Sequence, residues 1–229
     1  MSEFLRFPRT PHLVWLSTEP ARDDKVLSPL EAGDLLNGEV SVEEKIDGAN
    51  VGVSLSEAGR LQAQNRGAYL ERATCHPQFR PLFRWLEVHK QALTNALGPS
   101  LVLFGEWCYA VHSVRYTGLP DWFVAFDVFD RKLNQFWSAD RRDELIDTIG
   151  LSGVPRLARG RFGVSEIVGM LGDSCWSSGP AEGVYVRRDG PAALVARAKV
   201  VRPEFVQQIE AHWSGRTMQT NQLQSGERW

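Results

Sequence analysis

Residues 40–55 read VSVEEKIDGANVGVSL, and this stretch decides how the chain is built. Val40, Val42 and Glu44 alternate with Ser41, Glu43 and Lys45, the period of two that marks a strand. Asp47-Gly48 is a turn signal, and Val51 to Leu55 reads as the next strand. Lys45 therefore stands at the end of a strand, just before a glycine turn, where its amine is held rigidly and offered to a pocket. The chain holds five lysines, Lys25, Lys45, Lys90, Lys132 and Lys199, among 26 basic residues. With so strong an arginine bias, a lysine in an apolar setting points to chemistry, because only Lys offers an amine that can lose its proton.

Outward from this stretch, strands and helices mix without a regular β-α-β alternation. Leu61 to Gln64, Leu101 to Phe104 and Phe123 to Phe129 read as strands. Pro81 to Leu97 has the spacing of one helix. Ser138 is positioned to cap a helix reaching about Ile149, and Val164 to Leu171 suggests a short helix. Gly183 to Val186 and Ala192 to Val201 flank Arg188-Asp189-Gly190, a hairpin signal. Pro203 opens a last helix with Phe205, Val206 and Ile209 on its buried side. The expected class is α+β with mainly antiparallel sheets flanked by helices. One domain is expected, with an extended lead-in over 1–35, a core over 36–202 and a helix and tail over 203–229.

The bulk numbers set limits. At 229 residues the chain can bury one core, and its net charge of −2 gives no global positive field. Three separated cysteines, Cys75, Cys108 and Cys175, make neither a disulfide framework nor a zinc site. The N-terminus lacks the pattern of a signal peptide, and no apolar run is long enough to span a bilayer. A cytoplasmic protein with no membrane partner is expected.

Further motifs follow the first in order: Asn65-Arg66-Gly67, Leu103-Phe104-Gly105-Glu106-Trp107, Phe123 to Phe129, Ala181-Glu182-Gly183-Val184-Tyr185-Val186, and Ala196-Arg197-Ala198-Lys199-Val200. Together with Lys45-Ile46-Asp47-Gly48 this series resembles the covalent nucleotidyltransferase superfamily of ATP-dependent DNA and RNA ligases and capping enzymes. The resemblance implies the ATP-grasp-like ligase adenylation fold and a nucleotide site. Lys45 is the expected nucleophile. Lys199 and Arg197, on one strand face, are expected to lower its pKa and to neutralise the α-phosphate. Arg197 departs from the usual lysine at its position and brings a planar fork instead of a point donor. Arg66 would hold ribose or phosphate. Glu106 would take ribose hydroxyls, and Phe126 would stack on adenine. Glu182 would bind Mg²⁺ or Mn²⁺, and Asp127 would hold an active-site cation or water.

Glu44 before the nucleophile and Asn50 after the glycine resemble the RNA ligase 2-like form, in which these positions contact the nucleotide or its metal-bound water. The set Glu44, Lys45, Asp47, Gly48 and Asn50 is therefore expected around ATP. The segment Glu106 to Ser113 resembles small bacterial and phage RNA ligases, so Tyr109, His112 and Arg115 are candidates for the RNA end. About 30 residues follow Lys199, too few for a C-terminal oligonucleotide-binding barrel. The expectation is an ATP-dependent RNA ligase acting on 5′-phosphate and 3′-hydroxyl ends, served by a separate end-healing kinase or phosphatase. The alternatives are a DNA ligase or guanylyltransferase, and a module that binds RNA ends without chemistry.

Overall fold

The two strands of the 40–55 stretch lie in different sheets. The structure is a computed structural model that describes residues 4–18, 25–208 and 218–224. One sheet has four antiparallel strands, β1 (Val40–Lys45), β8 (Arg156–Gly160), β9 (Gly183–Asp189) and β10 (Leu194–Val201), in the order β10-β9-β1-β8. The other runs β3-β2-β4-β5-β6, with β2 (Ala49–Leu55), β3 (Leu61–Gln64), β4 (Leu101–Trp107), β5 (Phe123–Asp130) and β6 (Gln135–Phe136). A short β7 (Ser152–Gly153) adds to β5 in parallel. The Ile46–Gly48 turn thus carries the chain from one sheet to the next instead of closing a hairpin.

Each sheet packs one face and leaves the other toward a shared cleft. Val40, Val42, Val184, Val186, Ala198 and Val200 pack under α1 (Pro29–Leu36) and α5 (Val164–Gly169). Val51, Val53, Leu103, Phe123 and Ala125 pack under α2 (Arg80–Val88), α3 (Lys90–Leu97) and α4 (Ala139–Thr148). Strand alternation then sends the intervening positions of β1, Ser41, Glu43 and Lys45, to the opposite side. A short α6 (Pro203–Gln208) follows β10 and buries Phe205. The Val206 side chain and Ile209 lie outside the described residues.

Three local expectations change. The lead-in expected over 1–35 is not extended throughout, because α1 begins at Pro29 and runs one residue past its end. Ser28 Oγ accepts from the Glu31 N–H while Glu31 accepts from the Ser28 N–H, and Pro29 occupies the first turn, a capping box legible as Ser-Pro-x-Glu. The helix expected over 81–97 divides at His89, whose ring stacks on Trp85 at 4.3 Å and whose Nδ1 lies 2.9 Å from the Trp85 carbonyl. The break lets Leu82, Trp85 and Leu86 of one helix and Leu93 and Leu97 of the next all reach the same sheet. Ser138 occupies the N-cap of α4 but makes no capping bond with its side chain, and the first N–H of the helix, that of Ala139, donates to Asp189 Oδ2.

Candidate active site

Lys45 ends β1 at the point where the chain leaves one sheet for the other, so its amine stands at the seam between them. Its register partner on β9 is Gly183, which also pairs with Val201 of β10. A Cβ on Gly183 would fall 2.1 Å from the Val200 carbonyl oxygen, so no side chain is tolerated there. Gly48 is enclosed less severely: a Cβ would lie 3.0 Å from the Trp107 carbonyl oxygen and 3.1 Å from Glu106 Cβ. Gly48 therefore serves close approach of the turn to β4, while Lys45 and Glu106 are brought toward each other.

Lys45 Nζ donates to Glu182 Oε2 at 2.6 Å, with both side chains largely buried. This corrects the expectation of a lowered lysine pKa. Burial pushes the amine toward neutrality, but Glu182, Tyr185, Glu106 and Asp47 outweigh it, and the pKa is raised above that of a free lysine. Lys199 contributes its positive field at Glu182. Glu182 thus stands between the charges of Lys45 and Lys199.

Across the cleft, Asn50 of β2 and Glu106 of β4 are register partners. Asn50 Nδ2 and Glu106 Oε2 are both buried without a hydrogen-bond partner. Such orphaned groups are costly unless a bound molecule pairs with them. Burial raises the Glu106 pKa to about 8, against the opposing fields of Lys45 and Arg66. Arg66 is exposed, in a turn held by Asn65 Oδ1 accepting from the Gly67 and Ala68 N–H groups, and its field reaches Glu106. Phe126 lines the inner end of the cleft with Ile46, Val154, Tyr185 and Phe7.

Four of the expected site residues have partners other than those expected. Asp127, expected to hold a cation or water, is paired with two arginines. Its Oδ1 accepts from Arg187 at 2.7 Å and its Oδ2 from Arg197, which leaves a buried carboxylate neutralised by two guanidinium groups. Arg197 shares the cleft face with Lys199, as its spacing requires, but its fork is spent on Asp127 and lies over the rings of Phe7 and Phe136. Glu44 alternates away from Lys45, and its Oε2 accepts from the Cys175 N–H at 2.9 Å, while its Oε1 is buried without a partner and the residue still lines the cavity with Glu106 and Phe126. Asp47 turns from the cleft to brace a loop: its Oδ2 accepts from Ser113 and Val114, and its N–H donates to the Tyr116 hydroxyl.

Of the RNA-end candidates, His112 sits by Gln78, its Nε2 3.1 Å from Gln78 Oε1, with a pKa lowered to about 4 by burial and by Lys45 and His76. Tyr109 packs edge-on against Trp122, and Arg115 is exposed and bonded to Gln219. Sequence reasoning missed the buried clamp in which Arg142 Nη2 donates to Glu43 Oε1 at 2.6 Å while Nη1 donates to the Phe126 carbonyl at 2.7 Å. It also missed Phe7. The signal for Glu43 was present, since it shares the strand face of Lys45. Among the described residues no three His, Cys, Asp or Glu side chains converge as a metal site. Glu182 can offer a cation one hard oxygen ligand, which fits a metal held mainly by nucleotide phosphates and water.

Two facing sheets, a lysine at their seam and orphaned polar groups beside it define a nucleotidyltransferase fold. Residues 38–201 match the RNA ligase family, and the chain belongs to it. Solved structures of a Naegleria gruberi RNA ligase share the fold. One variant with ATP and Mn has TM-score 0.61 at 16% identity, covering 92% of this chain and 64% of that one. A second with ATP and Mn has TM-score 0.60 at 17% identity, covering 86% and 59%. An apo variant has TM-score 0.59 at 15% identity, covering 78% and 53%. The chain thus spans between about half and two thirds of these relatives. No curated protein matches it in sequence. Among the described residues no helix is long and apolar enough to cross a membrane.

Proposed function

We propose that the protein is an ATP-dependent RNA ligase of the RNA ligase 2-like kind, working in RNA repair on ends prepared by a separate enzyme. The observation that carries this reading is the Lys45 amine, paired with Glu182 and flanked by Lys199, facing the orphaned Asn50 and Glu106. Lys45 Nζ attacks the α-phosphorus of ATP, forms a phosphorus–nitrogen bond and expels pyrophosphate. The AMP passes to an RNA 5′-phosphate, and a 3′-hydroxyl then attacks that phosphate, releases AMP and seals the strand.

The amine must lose its proton first. Burial already favours the neutral form, and Glu182 is the main charge that opposes it. Drawing Glu182 away from Nζ therefore frees the nucleophile. Mg²⁺ or Mn²⁺ would supply charge neutralisation at the phosphates when bound, with Glu182 as its ligand on this chain. Lys199 holds positive charge near the reacting phosphate, Glu106 and Asn50 take the ribose, Arg66 approaches from the rim, and Phe126 stacks on the base.

The test is incubation with ATP or GTP labelled at the α-phosphate, with Mg²⁺. Label from ATP on the wild type and none on Lys45→Ala is the expected result. Label from GTP would make the protein a guanylyltransferase, and label from neither would leave a binding module. Sealing of nicked RNA and nicked DNA duplexes then separates the two ligase readings.

A further inference from the structure

The segment before α1 crosses the cleft from one sheet to the other. At its first anchor, Phe4 packs edge-on against Tyr69, and the Leu5 carbonyl accepts from Gln64 Nε2 of β3 at 2.6 Å. At its second, Pro11 to Leu13 lie along the edge of β10. The Lys199 N–H donates to the Pro11 carbonyl at 2.9 Å, and the Leu13 N–H donates to the Lys199 carbonyl at 2.8 Å. Between the anchors, Phe7 is buried at the inner end of the cleft. Its ring meets those of Phe104, Phe126 and Phe136 with centroids 5.0, 5.1 and 5.5 Å away. The Arg197 guanidinium lies over it at 4.5 Å.

Phe7 and Phe126 stand at 84° to each other and line the same cavity. Two rings at right angles form a corner that accepts a flat apolar-faced heterocycle, one wall against its face and the other against its edge. We propose that Phe7 is a wall of the nucleotide's base site, carried there by a strap spanning both sheets. The same strap sets Lys199 at the phosphate end through both its main-chain groups. This inference rests on the ligase reading for the identity of the nucleotide. It adds a base-contacting residue upstream of the matched segment 38–201.

The strap belongs to the site and is not a gate. It is pinned at one end by the Gln64 side chain on the Leu5 carbonyl and at the other by main-chain hydrogen bonds to Lys199, and Phe7 is enclosed by three rings and a cation. Removing the ring therefore weakens nucleotide binding and does not ease entry.

The experiment measures Lys45 labelling by ATP in Phe7→Ala and Phe7→Leu, with unfolding transitions recorded for both. Leu keeps bulk in the cluster and so guards against simple loss of folding. The half-saturating ATP concentration rises about tenfold in each variant, as for loss of an aromatic contact to a base. The rate at saturating ATP and the half-inhibiting concentration of inorganic pyrophosphate stay close to wild type, because pyrophosphate meets only the phosphate end. An unchanged ATP requirement in folded Phe7→Leu and Phe7→Ala overturns the inference. So does an equal weakening of ATP and pyrophosphate, which signals general distortion of the cleft. If the wild type takes no label, the ligase reading fails separately, and calorimetric binding of AMP to wild type and Phe7→Leu decides on Phe7. Weaker AMP binding by Phe7→Leu supports the wall. Equal binding, or none to the wild type, removes it.

Discussion

Lys45 and Glu182 form a 2.6 Å ion pair at the seam between two sheets, so the carboxylate that keeps the lysine protonated is also a hard oxygen within reach of a bound cation. A divalent cation and the Lys45 ammonium therefore compete for Glu182. Replacing Glu182 by Gln removes the main charge that keeps the amine protonated. The expected outcome is Lys45 labelling whose rate rises at lower pH than in the wild type but which needs a higher metal concentration. Rate profiles over pH at several Mn²⁺ concentrations check it. A profile that does not move disposes of the shared role.

Glu106 carries its own pH signature. Burial raises its pKa in the folded protein to about 8 from the ordinary glutamate value of 4.5. Between these values the folded state keeps a proton that the unfolded state releases, so stability falls as pH rises through this window and levels off above it. Glu106→Gln removes that fall. Thermal unfolding of wild type and variant without nucleotide should diverge with rising pH, the variant being the more stable above pH 8. Parallel curves would show that Glu106 ionises freely.

Asp127 offers a direct check on where the metal binds. With Arg187 and Arg197 on its two oxygens, its loss strands two buried cations. Asp127→Asn should lower stability by about 3–5 kcal/mol in urea unfolding, the usual cost of breaking a buried pair. Its metal requirement for labelling should match that of the wild type. A shifted metal titration in a folded Asp127→Asn protein would restore Asp127 as a ligand.

The Glu43–Arg142 clamp joins β1 to α4 and, through the Phe126 carbonyl, to β5. Arg142→Met strands Glu43 in a site where it is 2% exposed. A loss of about 3–5 kcal/mol is expected, and Glu43→Leu combined with Arg142→Met should recover most of it. Urea titration of the three variants provides the measurement, and a double variant as weak as the single one contradicts it.

Residues 218–224 hold the loop that braces Asp47. Asn221 Nδ2 donates to the Cys108 and Ala110 carbonyls, and its Oδ1 accepts from the Tyr116 N–H. Asn221→Ala should cost about 1–3 kcal/mol. It should also speed amide exchange at Ser113 and Val114, the two donors to Asp47. Unchanged exchange there would mean that the loop stands without its clamp.

The strand pattern of residues 40–55 was legible in the sequence, as was the hairpin of β9 and β10. So was the face shared by Arg197 and Lys199, because a period of two fixes which side chains travel together. The same period already separated Glu44 from Lys45, although the resemblance grouped them at one site. The α1 cap was legible in Ser28-Pro29 and Glu31 but is easily hidden behind a run of prolines.

Alternation along a strand is local, and by itself the sequence determined the α+β class, the strand that ends in Lys45 and the residues that share its face. Pairing between distant strands is not local. Only the tertiary structure decided that β1 and β2 part into two sheets, that Asp127 meets two arginines while Glu182 meets the lysine, and that Phe7 reaches Phe126. Each of those outcomes depends on which charges and rings come within contact range, and residues brought together from 60 to 137 positions apart leave no periodic trace along the chain.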